Sequence, residues 1–302
     1  MATTKAKTTK KSTAKKTTAS AKSTAAKTVK TTKVEAITSK AKVNPVKEFF
    51  GRKYDANENI LTIFKSPRII GAILGEVIGT MLITMILLTL GINNPLYLIF
   101  GVMAVTVAVF AFSGANLNPT ITVGLMASRR MSPIRGTLYI IAQVLGAWFG
   151  LLVISAFKGT GGEYAQELPT LAAAESEMFW AFTMIEFIGA IIIAFCFARA
   201  LIYKRSVFTF GAVVAGGVFV AVLLAVVITG NYLAIQDGAF VLNPAVAIMY
   251  QALPSEAADF GALMGKIGTA LTTYVIFPVI GGTIGFYLSD LAGKLSGEKL
   301  AE

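Results

Sequence analysis

Beyond Ile69 the chain is built from six apolar stretches: Ile69–Leu90, Leu96–Phe112, Leu138–Phe157, Phe179–Leu201, Val207–Thr229 and Ile267–Leu288. Each is close to the roughly 20 residues that a helix needs to cross the hydrocarbon core of a bilayer. A segment in lipid must satisfy its own backbone, and a helix does so within a single run. The pattern therefore predicts an all-α membrane protein with six transmembrane helices. Composition agrees, with 55% hydrophobic and only 14% charged residues, against about 25% charged in a soluble domain. The isolated Gly and Ser inside the runs are normal for closely packed membrane helices.

The net charge of +11 is unevenly placed. Residues 1–47 hold 13 Lys and one acid, Glu35, whereas the rest of the chain holds 14 Lys and Arg against 15 acids. The apolar body is nearly neutral and carries a basic tail. The tail is mostly Lys, Thr, Ala and Ser, too polar to offset its ordering entropy by burial, and is expected to be disordered. No apolar core follows its first lysines, so it does not read as a secretory signal. Three roles compete for it. It is a solvated extension that biases topology, a segment that adheres to anionic lipid head groups, or a nucleic-acid binder, for which it lacks aromatic and motif content.

Charge also orients the spans. Arg129, Arg130 and Arg135 lie between spans two and three, and Arg199, Lys204 and Arg205 between spans four and five. The other connections are uncharged or acidic, with Glu163, Glu167, Glu175 and Glu177 in one, and Asp237, Glu256 and Asp259 in another. Basic and non-basic connections alternate, as six spans with both termini in the cytoplasm require. The expectation is a multi-pass protein of the cell membrane. Its first half-repeat covers 69–158 and its second 179–290, with 291–302 as a cytoplasmic tail.

Two further segments are apolar but too short to cross: Ser113–Met126 and Gly238–Tyr250. Each contains an Asn-Pro pair, in Asn118-Pro119-Thr120 and Asn243-Pro244-Ala245. Asn is a preferred N-cap and Pro is favoured at the first helical position. Each triplet therefore starts a short helix. One such helix alone would suit an interfacial position. Two at matching places suit re-entrant half-helices, whose non-helical parts must line a polar cavity. The halves match elsewhere: Glu76-Val-Ile-Gly-Thr in span one is similar to Glu186-Phe-Ile-Gly-Ala in span four. With three spans per half, the second half enters the membrane inverted, and the two half-helix N-termini meet near the midplane. Each carries roughly +0.5 charge, so a pore between them repels cations and protons.

Histidine is absent and Cys196 is the single cysteine. That excludes a Ser-His-Asp triad, an HExxH zinc site and an intrachain disulfide. No nucleophile–base pair, metal site or cofactor ligand set is legible, so an enzyme is not expected.

Ser113–Leu125 resembles the first signature of the aquaporin and glycerol-facilitator family (major intrinsic proteins), and Asn243–Ala245 the second. Glu76 with Gly79-Thr80, Ala142-Gln143 with Gly146-Ala147, and Pro278 with Gly281-Gly282 resemble its spans one, three and six. The resemblance implies that Asn118 and Asn243 offer side-chain donors to one passing molecule, so that a water turned by them cannot hand on a proton. It implies that Pro119 and Pro244 stack where the half-helices abut. Thr120 departs from the usual Ala.

The resemblance gives Glu76, Glu186 and Gln143 the task of holding the re-entrant loops. The other reading of the Glu pair is a proton relay. It also implies a homotetramer with one pore per subunit. At the constriction the chain departs from the family: Val246 stands where an Arg is usual, Leu98 where an aromatic is common, and Phe240 resembles the aromatic of glycerol-conducting members. The span-five position falls near Thr229–Asn231. Without the Arg fork and charge, the mouth is expected to be more apolar and wider.

The function expected is a passive channel for water and small uncharged solutes such as glycerol. The alternative is a proton-coupled secondary transporter of a small solute.

Overall fold

The computed structural model describes residues 60–91, 94–160, 178–202, 206–232, 240–252 and 259–297. The basic tail, the acidic residues Glu163, Glu167, Glu175, Glu177, Asp237 and Glu256, and Lys204 and Arg205 lie outside them. All regular structure among the described residues is helical.

Among the described residues, six helices are long and apolar enough to cross a membrane: Pro67–Thr89, Leu96–Ser113, Pro133–Phe157, Phe179–Ile202, Val207–Asn231 and Phe260–Leu295. Between the second and third spans lies the half-helix Pro119–Ala127. Between the fifth and sixth lies its counterpart, Pro244–Ala247, continued by a π-helical turn Ile248–Ala252. This is the six-span, two-half-helix inverted repeat that the apolar runs and the Asn-Pro pairs predict.

Helix boundaries depart from the hydropathy runs where polar chemistry starts or continues a helix. The third span begins at Pro133 rather than Leu138, with the Ser132 hydroxyl accepting from the Arg135 amide at 3.3 Å. The sixth begins at Phe260 rather than Ile267, capped by Asp259, whose Oδ1 accepts from the Ala262 amide at 2.8 Å. It runs on to Leu295, so residues 291–295 are still helix. At 36 residues this helix is about 54 Å long, well beyond the roughly 30 Å hydrocarbon core. A π-helical turn, Thr272–Ile276, interrupts it.

The spans are built inside out relative to a soluble bundle. In the first, Glu76, Thr80 and Thr84 recur every four residues on the buried face, while Ile70, Leu74 and Ile78 occupy an exposed one. That exposed face is apolar because its solvent is lipid. The packing partners repeat in the two halves. First packs on second and third, fourth on fifth and sixth, and second on fifth across the join. Each half-helix crosses over to the other half, the first packing on the sixth span and the second on the third.

Glycines set the closest approaches. A Cβ on Gly146 would strike the Val77 carbonyl oxygen, and one on Gly150 would lie 2.7 Å from that of Met81. In the other half, Gly281 and Gly285 stand against the Phe187 and Ile191 carbonyl oxygens, each 2.5 Å from the added Cβ. Val77 and Phe187 each follow an intramembrane Glu by one residue, and Met81 and Ile191 by five. The repeat thus extends to single backbone contacts.

Candidate functional site

Asn118 and Asn243 both adopt extended backbone and cap their half-helices. Asn118 Oδ1 accepts from the Thr120 amide at 2.9 Å, and Asn243 Oδ1 from the Ala245 amide at 3.1 Å. Pro119 and Pro244 follow at the first helical positions. The amide nitrogens then reach across the join. Asn118 Nδ2 donates to the Leu242 carbonyl at 2.8 Å, and Asn243 Nδ2 donates to the Leu117 carbonyl at 2.9 Å. Two residues 125 apart in sequence are therefore stitched together reciprocally. Each side-chain nitrogen carries two hydrogens, so one N–H per Asn remains outside the stitch.

The carbonyls are aimed by an uncommon backbone. Leu117 and Leu242 sit at φ +55° and +57°, the left-handed region that costs a bulky residue about 1–2 kcal/mol. The strain is offset by an anion held in the bend, as successive amides form a nest for a carboxylate. Glu76 accepts from the Asn116 amide at 3.0 Å and the Leu117 amide at 2.8 Å. Glu186 accepts from the Val241 amide at 2.5 Å and from the Leu242 amide at 3.0 and 3.1 Å. Gly79 and Gly189, each one turn after its Glu, leave room for the Leu117 and Leu242 side chains, which a Cβ would strike.

Gln143 joins only the first half of this scheme. Its Nε2 donates to Glu76 at 2.7 Å and to the Thr122 hydroxyl at 2.8 Å, while its buried Oε1 has no partner. Aligned on Gly146 and Gly281, the counterpart of Gln143 is Pro278, which carries no donor. The Thr120 hydroxyl is buried without a partner as well, while the Thr120 methyl and carbonyl stand against Gly282.

A cavity of about 50 Å³ adjoins the stitch, room for a few waters. Its walls are Ile83 and Leu87 of the first span, Val102 and Thr106 of the second, Ile193 and Phe197 of the fourth, and Val214, Val218 and Val222 of the fifth. Loop residues 115–118 and 241–243 close it, so Asn116, Asn118 and Asn243 all line it. Leu98, Phe240 and Val246 are not on these walls. They are buried, Leu98 and Val246 completely, within the main hydrophobic core. Thr229 of the fifth span is buried too, its hydroxyl donating to the Ala225 carbonyl at 2.9 Å.

Sequence reasoning missed Leu117 and Leu242 as acceptors. The signal was present: Leu precedes both Asn-Pro pairs. It also read Arg130 only as a topology charge. Arg130 forms a 2.6 Å ion pair with Asp290, with Asp290 almost fully buried, and lies over the Phe286 ring at 5.7 Å. Phe286 in turn fills the space beside Gly124 of the first half-helix. This ties the end of that half-helix to the sixth span.

The family model for major intrinsic proteins matches residues 63–288. Aquaporin AqpM of Methanothermobacter marburgensis is 25% identical over 195 residues, 64% of this chain and 71% of that one. The probable aquaporin PIP2-1 of Oryza sativa subsp. japonica is 41% identical over 66 residues, and aquaporin-1 of Ovis aries 37% over 82. These two matches cover 22% and 26% of this chain, and 23% and 30% of the relatives' own lengths. The X-ray structure of an aquaglyceroporin from Plasmodium falciparum, 18% identical, aligns over 74% of this chain and 99% of its own with a TM-score of 0.49. With a family match running from before the first span to the end of the sixth, and paired Asn-Pro half-helices between the spans, the chain belongs to the major intrinsic protein family of membrane channels.

Proposed function

We propose that this protein is a passive channel of the cell membrane for water and small uncharged solutes such as glycerol. The observation that carries the reading is the reciprocal stitch. It brings the amides of Asn118 and Asn243 to one spot beside a cavity whose walls are otherwise mostly apolar. A neutral molecule there meets two N–H donors after leaving bulk water, and a cation meets donors and half-helix N-termini that repel it. Both termini lie in the cytoplasm, and four subunits assemble, each with its own pore. The basic tail adds attraction to anionic lipids. Nucleic-acid binding is the weaker reading of it.

Leu98, Phe240 and Val246 form the constriction in this reading. With no Arg there, the mouth is more apolar and wider, which admits small neutral solutes as well as water. Glu76 and Glu186 act as anchors: each holds two loop amides, which supports a static role over proton relay.

Stopped-flow light scattering on protein-loaded vesicles tests the proposal. Water and glycerol fluxes above those of empty vesicles, indifferent to a pH gradient, are expected. Flux that requires the gradient favours the proton-coupled transporter, and no flux refutes both.

A further inference from the structure

Asn116 lies two residues before the first Asn-Pro pair and lines the cavity. The orientation of its amide follows from counting protons. A carbonyl oxygen only accepts, so the 3.2 Å bond between the Thr122 hydroxyl and the Asn118 carbonyl uses the single proton that Thr122 has. The same hydroxyl is approached by Gln143 at 2.8 Å and by Asn116 at 3.4 Å. Both must therefore present N–H. The second hydrogen of Asn116 Nδ2 faces the Met131 sulfur at 4.0 Å, a weak acceptor with no proton to give. The nitrogen is thus turned into the protein on two independent grounds. Asn116 Oδ1 accepts from no group among the described residues, and it is not among the sealed, partnerless polar atoms. It is the atom of the amide without a protein partner among the described residues, on a residue that lines the cavity.

We propose that Asn116 is a specificity-determining residue of the channel. Its Oδ1, held outward by Thr122 and Met131, is an acceptor that selects solutes able to donate a hydrogen bond. It complements the N–H groups of Asn118 and Asn243, so the favoured solute both accepts and donates, as an amide or a polyol does. Thr106 is the other polar side chain on a wall of aliphatic residues and Phe197, so the acceptor is not lost in a general polar lining. A site built to pair with a donor discriminates against an analogue that lacks it. The inference rests on the channel reading above.

The test uses full-chain protein in vesicles and a pair of solutes of one shape. Urea carries four N–H hydrogens and acetamide two. Asn116→Leu is expected to lower both the urea-to-water and the acetamide-to-water permeability ratios about tenfold, the worth of one neutral hydrogen bond. Thr122→Val keeps Asn116 but releases its amide, and shifts the ratios the same way. Thr122→Ser restores the hydroxyl and the ratios with it. If Asn116→Leu does not assemble, the Thr122 pair carries the same expectation.

Unchanged ratios in Asn116→Leu, or Thr122→Ser behaving as Thr122→Val, would overturn the proposal. So would wild-type vesicles that pass water but neither solute. Wild-type vesicles with no flux above empty ones refute the channel reading instead.

Discussion

Leu117 and Leu242 show how much rests on single backbone groups. Each offers its N–H to a carboxylate and its carbonyl to the opposite asparagine. Removing the carboxylate strands buried N–H groups, each costing about 1–3 kcal/mol. Glu186→Leu leaves the Val241 and Leu242 amides unpaired. The half it anchors has no counterpart to Gln143. We expect a loss of at least about 2 kcal/mol, seen as a lower unfolding temperature of the detergent-solubilised protein, together with loss of solute flux. A variant that melts like the wild type would remove the anchor role. Asn243→Ala breaks one stitch and one half-helix cap, worth about 1 kcal/mol each, and is expected to lower water flux through vesicles.

At the scale of helices, stability is set by how closely backbones approach. Gly281 lies with its Cα against the Phe187 carbonyl, whereas an added Cβ on Gly71 meets nothing within 4 Å. Gly281→Ala forces the fourth and sixth spans apart and costs about 1–3 kcal/mol as overpacking. Gly71→Ala is neutral or stabilising by up to about 1 kcal/mol through helix propensity. Thermal unfolding of the two variants separates these outcomes, and equal melting points would contradict the packing assignment. The first half-helix has a second restraint in the Arg130–Asp290 ion pair. Asp290→Asn leaves the guanidinium half-buried without its anion, and a loss of about 3 kcal/mol is expected. Limited proteolysis between residues 127 and 133 would report the freed end.

For the whole molecule, the inverted repeat decides where function sits. Neither half is complete, because each half-helix packs on a span of the other. The site forms only at the join. Val246 and Leu98 are fully buried in the core there. Val246→Arg puts a guanidinium into that packing, which draws in water and polar partners. We expect the ratio of glycerol to water permeability to fall several-fold in vesicle assays. An unchanged ratio would exclude Val246 from the constriction. Deleting residues 1–45 is expected to leave flux intact and to abolish salt-sensitive binding of the solubilised protein to anionic vesicles.

Span number, membrane class and the starts of both half-helices were legible in one dimension. They depend on run length, on Asn before Pro, and on the absence of charge, all properties of residue type and spacing. The intramembrane Glu residues were legible for the same reason, since a carboxyl group in an apolar run has few solutions. The stitch between Asn118 and Asn243, the direction of the Asn116 amide and the pairing of Arg130 with Asp290 were decided only in three dimensions. Their partners are backbone carbonyls, which every residue carries, or side chains more than a hundred residues away. Which carbonyl points where depends on φ at Leu117 and Leu242, and that follows from the packed Glu rather than from the leucines themselves.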